Sequence, residues 1–556
     1  MQLLRKLNNK KIFGFWNISI LVILLLYVTF FLFPIGNLLK DSFVDSSTNT
    51  FTWSNFAKFF GQKYYFGTIT NSFKVTVLAT ILSMIIGVPL AYFMSVYEIK
   101  GKKILNIFII LSSMSAPFIG AYSWILLLGR SGLITKFVLN VFGIVMPDIY
   151  GFNGILLVLT LQLYPLVYLY VQGALANVDN SLFEASESMG ITGVERFFKV
   201  VIPLIKPTLY ASALLVFMRA FADFGTPMLI GEGYRTFPRL IFDEFVSEVG
   251  GDAGFASAIS VIAILLTLVL FLVQRYLSNK SEFEMSALHS IVPKQMPKKI
   301  SPFVYLFIYL TVIISYMPQL YVVYTSFLKT SGLMFVDGYS LASYTEAFTR
   351  LGSSIQNTFL IPGVSLVIIV VLAVLIAYVA VRRRNMVTAA LDAMTMVPYI
   401  IPGTVLGIAL STALSKQPFT LTGTFTIMVI ALVIRRLPYT TRSSVAILQQ
   451  ISPSVEEAAI SLGSSHAKTF FRITVPMMAP GIISGAILSW ITMISELATA
   501  IILYTTRTQT LTISVYTQVI RGNYGIAAAL SVILTILTVI SLLVFMKISK
   551  GKNMSI

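Results

Sequence analysis

The sequence has no cysteine and only two histidines, His289 and His466, in 556 residues. Disulfides, thiol chemistry, thiolate metal sites and a histidine-rich metal centre are therefore excluded. Charge is scarce as well: Asp, Glu, Lys and Arg make up 11% of the chain, against about 25% in soluble domains. No segment has the G-x-x-x-x-G-K-[ST] spacing of a phosphate loop. The nearest string, Gly101-Lys102-Lys103, lacks both the loop and the hydroxyl. Nucleotide hydrolysis is not expected of this chain. The net charge is +18, yet the basic residues form short clusters between apolar runs. That is the pattern of membrane topology signals, and it gives no reason to expect nucleic-acid binding.

What the chain has is apolar length. Hydrophobic residues are 56% of the total, in runs of about 20 residues or more, which suit helices crossing a bilayer and are too long for barrel strands. Twelve spans are expected: 16–39, 68–96, 104–129, 152–175, 204–230 and 254–276, then 302–327, 356–380, 388–414, 422–446, 477–503 and 525–547. Pro398, Pro402 and Gly403 interrupt the ninth, and Arg435, Arg436 and Pro438 the tenth. The first run follows Arg5, Lys6, Lys10 and Lys11 and is longer than a cleaved signal's core, so it is read as a retained span. With both termini in the cytoplasm, 26 Lys/Arg fall in inside segments and 13 outside, with Arg219 within a span. This excess favours that orientation.

The chain also repeats itself. Residues 184–207 (EASESMGITGVERFFKVVIPLIKP) align with 457–480 (EAAISLGSSHAKTFFRITVPMMAP) at a constant offset of 273. An Asn-Ser-Phe at 71–73 matches Asn-Thr-Phe at 357–359, and in each half an Ala-Tyr pair follows, ending at Tyr92 and Tyr378. Each half has an even number of spans, so the repeats run parallel, related by an axis along the membrane normal. The expected fold is an all-α integral membrane protein of about 12 transmembrane helices in two parallel six-helix repeats, 1–277 and 301–556, joined by a polar linker at 278–300.

The repeated loop has readable local chemistry. Ser181 with Glu184, and Ser454 with Glu457, have the S-x-x-E spacing of a capping box, so a short helix should begin there. Gly190 and Gly463 should end it. A second short helix should carry Phe197 and Phe470, with Pro203 and Pro476 opening the next span. One such loop could simply pack under the bundle; two at matched positions suggest a two-fold docking surface.

The pattern E-A-A-x-x-x-G followed by P-x-x-x-P resembles the coupling loop of permeases in ATP-binding-cassette importers. The second copy keeps Glu457-Ala458-Ala459, whereas the first has Ser186 in the third place. The resemblance implies that Glu184, Ala185, Gly190 and Phe197, with Glu457, Ala458, Gly463 and Phe470, engage two cytoplasmic ATPase subunits, which would bind ATP and Mg. It also implies an extracytoplasmic substrate-binding protein and a bacterial plasma or inner membrane location. This chain would bind no cofactor, and no metal ligands are assigned.

Ionisable groups inside spans are costly and tend to mark a pathway or a partner. Arg219, Asp223 and Glu496 stand out, Asp223 and Glu496 being equivalent at the 273 offset. They would line a cation path; alternatively Arg219 neutralises Asp223 at i, i+4 and Glu496 bonds to a hydroxyl. Glu232, Asp243, Glu244, Glu248 and Asp252 would form a solvated acidic face or dock the binding protein. The segment Ala222-Asp-Phe-Gly-Thr-Pro227, with Glu496-Leu-Ala-Thr499 later, is similar to the fused ferric iron permeases. Thiamine, polyamine and aminoalkylphosphonate importers are alternatives. A 12-helix secondary transporter fits hydropathy equally well but gives the repeated loops no role.

Overall fold

A computed structural model describes residues 15–45, 48–114, 117–246, 252–279, 291–332, 334–417 and 419–548. The basic N-terminal residues, Glu248, His289 and linker residues 280–290 lie outside it. Each expected span has a helical counterpart. Among the described residues ten helices are long and apolar enough to cross a membrane, and eleven if one bent pair counts as a single span. The count of twelve thus changes at two places. The ninth span is two helices, Met386–Ile400 and Gly403–Ala413, meeting at 108° across Ile401 and Pro402. Pro402 has no N–H to continue the ladder. The tenth, Phe425–Gln450, is a full helix, but Arg435, Arg436 and Arg442 set it apart from an ordinary lipid-crossing segment.

In lipid a hydroxyl must find a partner within the protein. Thr80, Ser123, Thr267, Ser365 and Ser531 each donate to the carbonyl four residues earlier in their own helix. These five hydroxyls therefore sit within the spans with their donors satisfied by their own helix. The only strands among the described residues are Leu328–Ser331 and Met334–Tyr339, an antiparallel ribbon before the long helix Ala342–Arg382.

The two halves exchange their first spans. Trp16 stacks on Tyr378 at 4.2 Å and meets Phe470 edge-on at 4.9 Å. Ile23, Tyr27, Phe31 and Leu38 join a core built largely from the second half. Conversely, Val304, Ile308 and Val312 of Ser301–Thr325 sit in the first-half core. The sequence repeats and the packed units are thus offset by one helix each. Linker residue Lys294 pairs through its backbone with Val96 and Glu98.

The second helix of each half, Lys63–Val96 or Ala342–Arg382, braces both ends of the fifth. At one end Asn71 Nδ2 donates to Arg235 O at 3.1 Å, and Ser72 Oγ accepts the Phe237 N–H at 2.7 Å. In the second half Asn357 Nδ2 donates to Arg507 O and Gln509 O, and Thr358 Oγ1 accepts the Leu511 N–H at 2.8 Å. At the other end Tyr92 packs on Phe197 at 4.9 Å and Tyr378 on Phe470 at 4.8 Å. The repeated Asn-Ser/Thr-Phe and Ala-Tyr motifs are these two attachment points. Thr358→Val keeps the side chain's shape but strands the Leu511 N–H, a loss of about 1–3 kcal/mol. The midpoint of thermal unfolding in detergent should fall, and an unchanged midpoint would count against the brace.

Candidate functional site

The repeated loops form two matching short helices, Asn180–Ser188 and Pro453–Ser461. They begin earlier than the Ser181 and Ser454 boxes suggest. Asp179 caps the first by accepting the Ser181 N–H at 2.9 Å, and Ser452 caps the second. Pro453 fixes the start, since its missing N–H costs nothing in the first helical turn. Both helices end as expected: Gly190 and Gly463 take φ of +77° and +88°, a backbone that side chains disfavour. Ile191 N–H and Ser464 N–H then close the ends onto Ser186 O and Ala459 O.

No separate second helix follows. Gly193–Arg196 and His466–Thr469 run straight into the fifth span through π-turns at Phe197–Val201 and Phe470–Thr474. Pro203 and Pro476 lie just beyond these turns. The wider turn shifts the hydrogen-bond register, so the proline's absent N–H does not break the helix.

Glu184, Ala185, Glu457 and Ala458 are all exposed. The apolar tips are more so: Met189 is 76% exposed and Leu462 89%. The buried face differs between copies. Glu456 accepts from Tyr378 Oη at 2.9 Å and Arg382 Nε at 3.0 Å, whereas the equivalent Phe183 lies under the Arg196 guanidinium at 5.4 Å. The first helix is tied to the linker through Lys294 and Glu187, and that hydrogen bond holds the Glu187 carboxyl below its usual range. Phe197 and Phe470 serve as the packing link to the second helix of their half.

The intramembrane charges meet differently than the sequence suggests. The fifth span's helix ends at Phe221, so Asp223 leaves the helical path and the i, i+4 pairing with Arg219 does not form. Asp223 Oδ2 instead accepts the Thr226 N–H at 3.0 Å. Glu496 does the same for Thr499 N–H at 3.0 Å, so the two equivalent carboxylates cap equivalent turns. Roughly 30 Å of chain at 1.5 Å per helical residue separates Pro203 from Asp223 and Pro476 from Glu496. Both carboxylates therefore lie toward the face remote from the repeated loops.

Glu496 also binds two arginines absent from the sequence-derived set. Arg435 lies 3.2 Å from Oε1, and Arg436 pairs with Oε2. Arg435 also donates to Thr499 Oγ1. A methyl group at Gly403 would collide with the Arg435 guanidinium, so the glycine at the ninth span's break makes room for this pair. In the sequence Arg435 and Arg436 interrupt the tenth span; the structure puts them in the body of Phe425–Gln450, their sign matched by the carboxylate 60 residues on. That opposite-charge pairing of two apolar segments was the available signal. Glu496 is thus buried in an ion-paired cluster and presents no open carboxylate to a cation. Arg219 is exposed within the protein and lies beside Tyr439, Tyr399 and Tyr170. Among the described residues no group of three or more His, Cys, Asp or Glu could hold a metal ion. Of the acidic segment, Asp243 pairs with Arg239 at 3.5 Å and Glu232 with Arg130 at 2.9 Å.

Residues 83–282 and 369–551 each match the model of one family, described as binding-protein-dependent transport system inner membrane component. The ferric transport system permease protein FbpB of Actinobacillus pleuropneumoniae is 28% identical over 95% of this chain and 77% of its own length. A putative ferric transport system permease protein, FbpB 1 of Haemophilus influenzae, is 28% identical over 88% of this chain and 78% of its own. The spermidine/putrescine transport system permease protein PotB of Haemophilus influenzae matches 50% of this chain with 99% of its length, at 28% identity. One half of this chain thus corresponds to a whole single-unit relative.

Glu496→Gln leaves two buried guanidinium groups without their carboxylate, at a cost of about 3–5 kcal/mol. Asp223→Asn keeps an oxygen to accept the Thr226 N–H and should change stability far less. Unfolding of the two purified variants in detergent tests this contrast, and equal losses would remove the distinction drawn between the two carboxylates.

Proposed function

The chain belongs to the family of binding-protein-dependent transport system inner membrane components, and on that premise we propose that it is the fused, multi-pass permease of a ferric iron importer whose ATP is hydrolysed by separate subunits. The observation that carries the coupling role is the pair of matching helices. Each projects a glutamate, an alanine and an exposed apolar tip, Met189 or Leu462, from a glycine-closed end. Such a tip fits a cleft on a partner, and two at equivalent positions fit a two-fold ATPase pair.

In this reading ATP and Mg stay on the partner subunits, and both termini face them from the cytoplasm. ATP-driven closure of that pair draws the two short helices together. The continuous helices Gly193–Phe221 and His466–Ile494 carry the displacement to the charged cluster, because each begins directly after the hydrogen-bonded glycine turn that closes its short helix. A substrate-binding protein delivers cargo on the opposite face. Ferric iron is supported by the relatives aligned over most of the chain.

Glu184→Lys and Glu457→Lys change only exposed positions. Together they should leave the protein folded and monodisperse while reducing ATP-driven uptake of radiolabelled iron by at least tenfold. The measurement uses proteoliposomes with the ATPase and binding protein present. Full uptake in the double variant would refute the coupling assignment. Uptake driven by an ion gradient with no ATPase present would sink the importer reading as a whole.

A further inference from the structure

One cluster has more positive charge than its surroundings neutralise. Arg219 and Tyr170 come from the first half, and Tyr399, Tyr439, Arg435 and Arg436 from the second. Tyr399 and Tyr439 meet edge-to-face at 5.5 Å, and the Arg436 guanidinium lies 6.0 Å from the Tyr439 ring. Arg219 faces the same tyrosines. Arg435 and Arg436 share one carboxylate, Glu496, so with Arg219 the three guanidinium groups leave a net of two positive charges. Among the described residues Arg219 has no ion-paired carboxylate, and the buried Arg436 Nε has no acceptor. Within a membrane protein such a surplus is costly unless something neutralises it.

The geometry says what would. A guanidinium presents a planar fork of donors that matches two oxygens of a carboxylate or phosphate. Tyrosine hydroxyls add donors that can turn toward the same oxygens. Arg219 and Tyr170 are exposed, and Tyr399 and Tyr439 partly so, so donors contributed by both halves remain accessible to a ligand. A bare trivalent cation would be repelled there. We propose that this cluster is a transient binding site for an oxygen-rich anion, and that the cargo crosses the membrane accompanied or shielded by such an anion.

The inference rests on the iron-importer reading for the identity of the cargo, but not for the existence of the site. Its test uses the full chain reconstituted with its ATPase and binding protein. Uptake of radiolabelled iron is followed alongside labelled phosphate in one arm and labelled citrate in the other. One label should enter in fixed proportion to iron. Arg219→Gln should lower iron uptake at least tenfold, Arg219→Lys should retain about a third or more, and Tyr439→Phe, which keeps the ring, should lower uptake severalfold. Iron entering with neither label, at a rate that Arg219→Gln and Tyr439→Phe leave unchanged, overturns the site and leaves the iron reading standing. A labelled anion that enters without iron, and depends on Arg219, overturns the iron reading and supports the site.

Discussion

The structure depends on how each half secures the two ends of its fifth span to its second. A helix from the repeated loop to the charged cluster transmits displacement only if neither end can slip. Hydrogen bonds secure one end, where Asn71 and Ser72, or Asn357 and Thr358, satisfy backbone groups of the segment that follows the span. Aromatic packing secures the other, through Tyr92 on Phe197 and Tyr378 on Phe470. The choice of chemistry follows the surroundings. Irregular backbone at membrane depth must be hydrogen-bonded internally, whereas the loop end has continuous helix and needs only lateral contact.

On this shared frame the halves differ in charge. At the 273 offset, Gln162 and Leu163 occupy the places of Arg435 and Arg436, and Phe183 that of Glu456. The second half thus carries a buried ion-paired cluster at each end of its working helix: Glu456 with Arg382 near the loop, and Glu496 with two arginines beyond. The first half makes the same turns with Asp223 and an apolar contact under Arg196. Buried ion pairs add little net stability over well-packed apolar residues, yet losing one partner is costly. Their consequence here is specificity of packing: each fixes which residues of the second half must meet at the two ends of its working helix.

Much of this was legible in the sequence. Apolar length gave the spans, the 273 offset gave the two-fold plan, and Gly190 and Gly463 gave the helix ends, because each rests on local chemistry. The break at Pro402 was legible for the same reason. What was not legible depends on residues far apart in the chain. Local hydropathy puts Arg435 and Arg436 in a span, but nothing local names Glu496 as their partner. Nor does periodicity reveal that Trp16 belongs with Tyr378, or that Glu456 is buried while neighbouring Glu457 is exposed. The loop's helix starts were misplaced because Ser181 and Ser454 had the right spacing, but Asp179 and Ser452 had the better position. The expected second short helix was lost to a π-turn, a change of hydrogen-bond register that sequence spacing does not show.

The exchange of first spans ties these features together. Trp16 touches both Tyr378 and Phe470, the aromatic pair that holds the second loop to its brace, so a residue of the first repeat completes the second repeat's attachment. Ser301–Thr325 packs into the first-half core in return, and its start follows the linker residue whose side chain holds Glu187. Each loop is therefore steadied partly by the opposite repeat. Each short helix thus has supporting contacts from both repeats, and in the cluster of Arg219, Tyr399 and Tyr439 side chains of both repeats meet. A site made of residues from two moving bodies can hold a ligand in one arrangement and release it in another without any residue changing its own fold, because the distance between the contributing side chains is itself what the movement alters.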